Sequence, residues 1–193
     1  MVIDVKEKIR NILENKKLCI YLVVCLIVCA GLVYVFTLYE YTVTKIVRYI
    51  VLVLFLVYIA WKDYHEKIIP NVALVAMLIV RVCILIAEWI VYPDLGLSML
   101  MSAGLGALIG GGVFGLCYLI SRGGMGAGDV KLLFVEGFYF GISSILPAML
   151  AMTFCSAIYN IVMLLLKKIT LKSELPFGPF ALAGTVIAMF LGV

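Results

Sequence analysis

The chain has 193 residues, 66% of them hydrophobic and only 13% charged, with a formal net charge of +4. A soluble domain is about half apolar and about a quarter charged, so one water-solvated core cannot bury this much apolar side chain, and lipid must solvate most of it. The basic residues are dispersed among the loops without an aromatic-interleaved patch, which argues against a nucleic-acid partner.

Residues 1–17 place Val2, Val5, Ile9 and Ile12 at alternating three- and four-residue spacing. This predicts a short basic amphipathic helix on the cytoplasmic membrane surface; a plain solvated anchor fits the pattern equally. The apolar stretch that follows is long and has no small-residue cleavage site, so it reads as a permanent span rather than a signal peptide.

A helix needs about 20 apolar residues to cross a bilayer. Seven segments are candidates: 18–39, 45–61, 70–91, 97–120, 130–141, 143–166 and 177–193. The fifth is short, and reads as a half-span or as a run broken into the sixth. The expected fold is therefore an all-α polytopic transmembrane bundle of six to seven spans.

Loop charge tests the order. If the seven segments alternate, twelve of the fifteen basic residues fall on one side, from Lys6 through Lys62, Lys67, Arg122 and Lys131 to Lys167, Lys168 and Lys172. Lys45 and Arg48 fall on the other, and Arg81 lies within a span. The positive-inside rule then makes the N-terminus and the basic loops cytoplasmic.

Packing signals accompany the later spans. Gly106 and Gly110, and Gly111 and Gly115, form two small-residue repeats that let helix backbones approach closely, and Pro147 predicts a kink. The six cysteines lie inside apolar runs with no CxxC pair, as small packing residues rather than a disulfide or metal framework. His65 is the only histidine, so neither a metal nor a cofactor is expected.

Ionisable groups near lipid are costly and tend to be functional. Asp63 closes the second span in WKDYHEKIIPN, and Asp129 follows the glycine-rich turn in SRGGMGAGDVKLL. The topology puts both at one depth on the cytoplasmic side. Two carboxylates converging in a partly dry site share a proton. An aspartic peptidase needs this arrangement, with one carboxylate taking a proton from water while its protonated partner polarises the amide carbonyl. Gly123, Gly124, Gly126 and Gly128 offer left-handed backbone and room for a substrate strand. Blander roles fit the same residues: Asp129 as a helix N-cap and Asp63 as a boundary charge in the headgroups. The glycine run is a poor nucleotide loop, because no strand precedes it. Arg81, Glu88 and Glu136 are the remaining polar groups within spans, and a buried Arg81–Glu136 pair would neutralise both.

Asp63-Tyr-His-Glu-Lys-Ile-Ile-Pro70-Asn71 and Gly126-Ala-Gly128-Asp129-Val-Lys131 resemble the two signatures of the type IV prepilin peptidases, the GxGD membrane aspartic peptidases. Leu175-Pro176-Phe177-Gly178-Pro179-Phe180 resembles the start of that family's last helix. The three occur in the family's order, and the resemblance covers about 45–193. It implies that 45–193 is a membrane-embedded peptidase domain preceded by an additional leading span, 18–39. It further implies an aspartic endopeptidase of the cytoplasmic (inner) membrane that removes the basic leader from prepilins or pilin-like secretion subunits. In that case Asp63 and Asp129 are catalytic, Gly126, Gly128 and Lys131 shape the active-site loop, and Pro70, Asn71, Pro176, Gly178 and Pro179 lie near substrate. The substrate protein and membrane lipid are the partners implied, with no oligomeric state indicated. The paired CxxC motifs that accompany N-methylation in longer members are missing here, so methyltransferase activity is not expected.

Two other readings remain. A presenilin- or signal-peptide-peptidase-like protease also uses GxGD, but its aspartates lie within the bilayer, whereas His65, Glu66 and Lys67 put Asp63 at the water boundary. A proton-coupled transporter would use Asp129, Arg81, Glu88 and Glu136 along a pathway, and calls for inverted halves with matching interrupted helices, a symmetry this sequence lacks.

Overall fold

The computed structural model describes residues 16–121, 126–170 and 175–192. The surface helix expected within 1–17 lies outside these residues except for its last two, and so do Arg122, Gly123, Gly124 and Lys172. Among the described residues there are seven α-helices and no strand: α1 Lys16–Leu38, α2 Val43–Glu66, α3 Asn71–Val91, α4 Gly96–Ile120, α5 Ala127–Phe140, α6 Ile142–Leu165 and α7 Gly178–Phe190. A one-turn 3₁₀ helix, Pro93–Leu95, leads into α4. The fold is the all-α bundle that the apolar periodicity predicts.

Helices α2, α3, α6 and the stretch Pro93–Ile120 are long and apolar enough to cross a membrane. Helices α5 and α7 have 14 and 13 residues. At about 1.5 Å per residue they measure roughly 20 Å, well short of the ~30 Å hydrocarbon layer. The short fifth segment is therefore a distinct helix, and it stops sharply. Gly141 adopts φ 78° between α5 and α6, a left-handed conformation without penalty for glycine. A Cβ there would also lie 2.6 Å from the Ser102 hydroxyl oxygen. Pro147 sits six residues into α6, which continues through it.

Helix α2 buries Tyr49, Leu52, Val53, Leu56, Ile59, Ala60 and Asp63. These residues recur every three or four positions and so share one face. That face meets Met77 of α3, Leu132 and Tyr139 of α5, and Ala181 and Met189 of α7 in a continuous apolar core. Helix α1 adds Leu32 and Phe36, with Phe36 against the Tyr49 ring at 5.6 Å between centroids. Many leucines, isoleucines and valines elsewhere on the helices face outward, as expected where the surrounding solvent is lipid.

The tightest seam joins α4 to α5. A methyl on Gly137 would collide with the Gly106 carbonyl, and one on Gly106 with the Gly137 carbonyl. Gly110 meets the Leu133 carbonyl in the same way. The Gly106/Gly110 repeat thus lets two backbones touch. The second repeat is looser, with Gly111 against the Phe134 side chain and Gly115 3.7 Å from Val130.

Buried charge is paired differently from the expectation. Arg81 Nη1 donates to Glu88 Oε2 at 2.9 Å, one helical repeat away on α3, and Arg81 Nε donates to the Phe138 carbonyl at 3.1 Å. Arg48 Nη1 reaches the other Glu88 oxygen at 3.2 Å. The anticipated Arg81–Glu136 pair is therefore not formed. Seven residues along α3 is nearly two full turns, so Glu88 stacks over Arg81 and satisfies it locally. Glu136 is fully buried, and neither carboxyl oxygen has a hydrogen-bond partner among the described residues.

Gly137→Ala is expected to destabilise the bundle by about 1–3 kcal/mol through overpacking against backbone. Gly112→Ala, with nothing within 4 Å of the new Cβ, should be neutral or slightly stabilising through better helix propensity. Thermal unfolding of both variants in the same detergent checks this; equal midpoints would contradict the seam.

Candidate active site

Asp63 occupies the last turn of α2, on the helix's buried face, and is 4% exposed. Helix α2 ends just beyond it: Lys67 turns left-handed at φ 55° and donates its backbone N–H to the Asp63 carbonyl at 2.8 Å. The chain then passes through Ile69 to Pro70, the extended cap of α3. The sequence expectation started α3 at Pro70, one residue earlier, a difference within ordinary boundary scatter.

The Asp63 carboxylate meets backbone. Gly178 N–H donates to Oδ2 at 2.6 Å, and the neighbouring Phe177 N–H also favours charge on this carboxylate. Both N–H groups belong to the start of α7, where unpaired backbone donors and the helix dipole favour an anion. Burial works against charge at Asp63, and these donors offset part of that cost. The third motif builds this seat. Pro179, in the first turn of α7, needs no donor there, and Pro176 immediately precedes the Phe177 cap. A Cβ on Gly178 would lie 3.1 Å from the Asp63 Cβ and Oδ2 and 3.2 Å from the Ala60 Cα, so the missing side chain lets the two helices close this tightly.

Asp129 is the third residue of α5, half-buried beside its N-terminus. Gly126 is the N-cap, and the Asp129 carboxyl lies beside its backbone, where the Gly126 N–H favours negative charge. The aspartate thus reaches back from the third position as in a capping box, rather than acting as the N-cap itself. Burial and the nearby negative charge of Asp63 push the Asp129 carboxyl up to about 6, while the Gly126 N–H pulls in the opposite direction. Two carboxyl groups 66 positions apart in sequence are therefore close enough to influence one another's charge.

The glycines act here through size, not backbone freedom. Gly126 has φ −70° and ψ 132°. Among the described glycines only Gly141 and Gly192 have positive φ, so the expected left-handed geometry is not found at Gly126 or Gly128. A Cβ on Gly128 would stand 3.2 Å from the Ile69 Cβ, and its absence lets the start of α5 pack on the α2–α3 loop. Lys131 Nζ then donates to Asn71 Oδ1 at 3.1 Å. Each of the first two motifs thus touches the other twice, through Gly128 with Ile69 and through Lys131 with Asn71. His65 points elsewhere: it is exposed, with Nδ1 2.8 Å from the Trp61 carbonyl oxygen.

Sequence reasoning missed the backbone seat of Asp63. One signal was available, because Asp63 continues the buried stripe of α2 after Leu56, Ile59 and Ala60, whereas Lys62 and Glu66 do not.

The chain is 29% identical over 143 residues to the prepilin leader peptidase/N-methyltransferase of Bacillus subtilis (strain 168). That alignment covers 74% of this chain and 55% of the relative, so the chain spans about half the length of the curated relative it matches. No solved structure matches it. A model of the type IV leader peptidase family matches residues 50–161, a segment that contains both aspartate motifs and more than half of the sequence. The chain belongs to the type IV leader peptidase family.

Proposed function

We propose that this chain is a membrane aspartic endopeptidase that removes the basic leader from prepilins or pilin-like subunits at the cytoplasmic face of the membrane, with Asp63 and Asp129 as its catalytic pair. One observation carries the reading: the buried Asp63 carboxylate at the end of α2 and the half-buried Asp129 carboxyl at the start of α5 lie close enough at one end of the bundle to feel each other's charge, in unequal surroundings. Asp63 accepts the Gly178 N–H, and the Phe177 N–H beside it also favours its charged form. Among the described residues Asp129 has the Gly126 N–H beside it and stands in the field of Asp63, so the shared proton resides there.

In this mechanism the Asp63 carboxylate takes a proton from a water molecule placed between the pair, and the water oxygen attacks the scissile carbonyl carbon. Asp129 gives its proton to the carbonyl oxygen. The tetrahedral intermediate then collapses: the C–N bond breaks, the leaving amine takes the proton held by Asp63, and the hydroxyl that becomes the new carbonyl returns its proton to Asp129, restoring the pair. Lys131, held by Asn71, fixes the first turn of α5 and with it the direction of the Asp129 carboxyl. The depth of the site at one end of α2 suits a bond near the membrane boundary, between a basic leader and an apolar segment. Lys62, Lys67 and Lys131 lie on the same side, which matches the positive-inside assignment of that face to the cytoplasm.

The deciding experiment co-expresses the chain with a prepilin-like substrate from the same genome and follows leader removal by gel shift and N-terminal sequencing. Asp63→Asn and Asp129→Asn, at membrane abundance equal to wild type, should each lower cleavage by at least about 10²–10⁴-fold. Cleavage surviving both substitutions would sink the aspartic mechanism.

The pH profile follows from the position of the proton. The pair must hold one proton, so activity is retained below the upper apparent pKa and lost as pH rises through it. With Asp129 raised to about 6, kcat/KM, which reports the free enzyme, should fall on the alkaline side from near that value. A kcat/KM that stays level from about pH 5 to about pH 9 contradicts a proton-sharing pair.

Lys131→Met and Asn71→Ala should each slow cleavage roughly two- to tenfold, the worth of one hydrogen bond. Because the two act on each other, the double variant should be little worse than either single one. Fully additive losses would show that Lys131 acts independently of Asn71.

A further inference from the structure

A second polar site lies at the opposite end of the bundle. Arg48 precedes Asp63 by fifteen positions on α2, which separates the two by roughly 22 Å along the helix. A cavity of about 290 Å³ opens there, bounded by Lys45, Arg48, Tyr49, Arg81, Ser102 and Ser144, with contributions from α2, α3, α4, α5 and α6. Its volume sits at the lower end of the range for small-ligand clefts, about 300 Å³.

The charges in this cavity do not balance. Among the described residues Glu88 is the one carboxylate paired with Arg48 and Arg81, and it is shared between them. Lys45 packs its ammonium 3.7 Å from the Tyr41 ring centroid and forms no ion pair among the described residues. Three cations thus face one anion. An uncompensated charge at the end of a membrane bundle is costly unless a counter-charge arrives.

Polar atoms there also lack partners. Arg48 Nε and the hydroxyl of Tyr49 are buried without a hydrogen-bond partner among the described residues, and Tyr49 is fully buried. Such groups cost free energy unless something satisfies them. Ser102 Oγ accepts the Ile142 N–H at 3.2 Å, and Ser143 and Ser144 follow at the start of α6. The lining therefore combines arginine forks, an ammonium and hydroxyl groups. This donor set matches the oxygens of a tetrahedral phosphate, for which arginine is the preferred partner. The cavity also lies near the first turns of α2, α4 and α6, at one end of the bundle.

We infer that this cavity binds a phosphate-bearing anion, as the headgroup of an anionic phospholipid or as free phosphate, on the face of the bundle opposite the two aspartates. Basic pockets between transmembrane helices take headgroup phosphates by the same physics. The site is distinct from the proposed peptidase chemistry and does not depend on it.

The test measures binding directly on the full chain in neutral detergent. One arm counts phosphatidylglycerol retained per chain by native mass spectrometry, with phosphatidylcholine as control. The other titrates inorganic phosphate and follows the thermal midpoint. Lys45→Gln removes a cation that has no ion pair and should leave the fold intact; Arg48→Gln removes the donor with an unpartnered Nε. Each should weaken binding about tenfold or more, the value of one charge-assisted hydrogen bond. Selective retention of phosphatidylglycerol, lost in both variants, assigns the site to lipid; a midpoint shift with phosphate alone, lost in both variants, assigns it to the free anion. Wild type that binds neither, or Lys45→Gln protein that binds as tightly as wild type, overturns the inference.

Discussion

A carboxylate on the inward face of a membrane helix needs a partner, and here the partner of Asp63 is the start of another helix. The Gly178 and Phe177 N–H groups are donors that α7 would otherwise leave open. One contact therefore satisfies two costs, a buried anion and an uncapped helix. It requires that α7 begin within 3 Å of the last turn of α2, which the missing side chain of Gly178 allows. From there α7 packs along α6, with the Gly184 backbone against Met152. The seat of one aspartate thus fixes where three helices meet. A cation in the same place would have neutralised Asp63 and removed the electrostatic difference between the two carboxyl groups; neutral amide donors hold the charge without cancelling it.

The second carboxyl is positioned by different means. Asp129 sits in the first turn of α5, where Gly126 caps the helix and Gly128 rests on Ile69. Its raised pKa, about 6, comes first from burial and then from Asp63. The asymmetry between the two sites is the useful property. In the proposed mechanism two identical carboxylates would share a proton without assigning it, whereas the backbone donor at Asp63 and the neighbouring charge at Asp129 assign it to Asp129.

Much of this was legible in the sequence, and the residues show why. Apolar runs gave the helices, because lipid leaves an α-helix as the one local way to satisfy each backbone group. The Gly106/Gly110 repeat gave the closest helix pair, since two backbones in contact admit no side chain. The two aspartate motifs stood out because charge at a lipid boundary is costly. What stayed hidden depends on tertiary direction. Arg81 was expected to meet Glu136, and it meets Glu88 instead, because stacking along one helix needs no chain crossing. The glycines around Asp129 read as left-handed, while Gly126 is extended and Gly128 helical; sequence shows that a side chain is missing, not whether torsion or space required it. The Gly178–Asp63 contact joins residues 115 positions apart, and no local pattern encodes which carboxylate a helix start will meet.

Helix α5 is the piece whose position matters most and which lipid constrains least. At 14 residues it is roughly 21 Å long, too short for the hydrocarbon thickness to set its depth. Protein contacts must do so. Lys131 ties its first turn to Asn71, and Arg81 ties its last turn to α3 through the Phe138 carbonyl. Asn71 and Arg81 are ten residues apart on α3 and Lys131 and Phe138 seven apart on α5, so two long side chains lash the helices together at both ends. The Gly106–Gly137 contact holds α5 against α4 between those ties. Sliding α5 by one residue, about 1.5 Å, would break both lashings and drive Gly137 off its glycine partner at once. The buried Arg81–Glu88–Arg48 cluster, which by itself adds little net stability, gains a reason in this setting. It aims Arg81 at α5 from the far end and so holds Asp129 at the depth of Asp63.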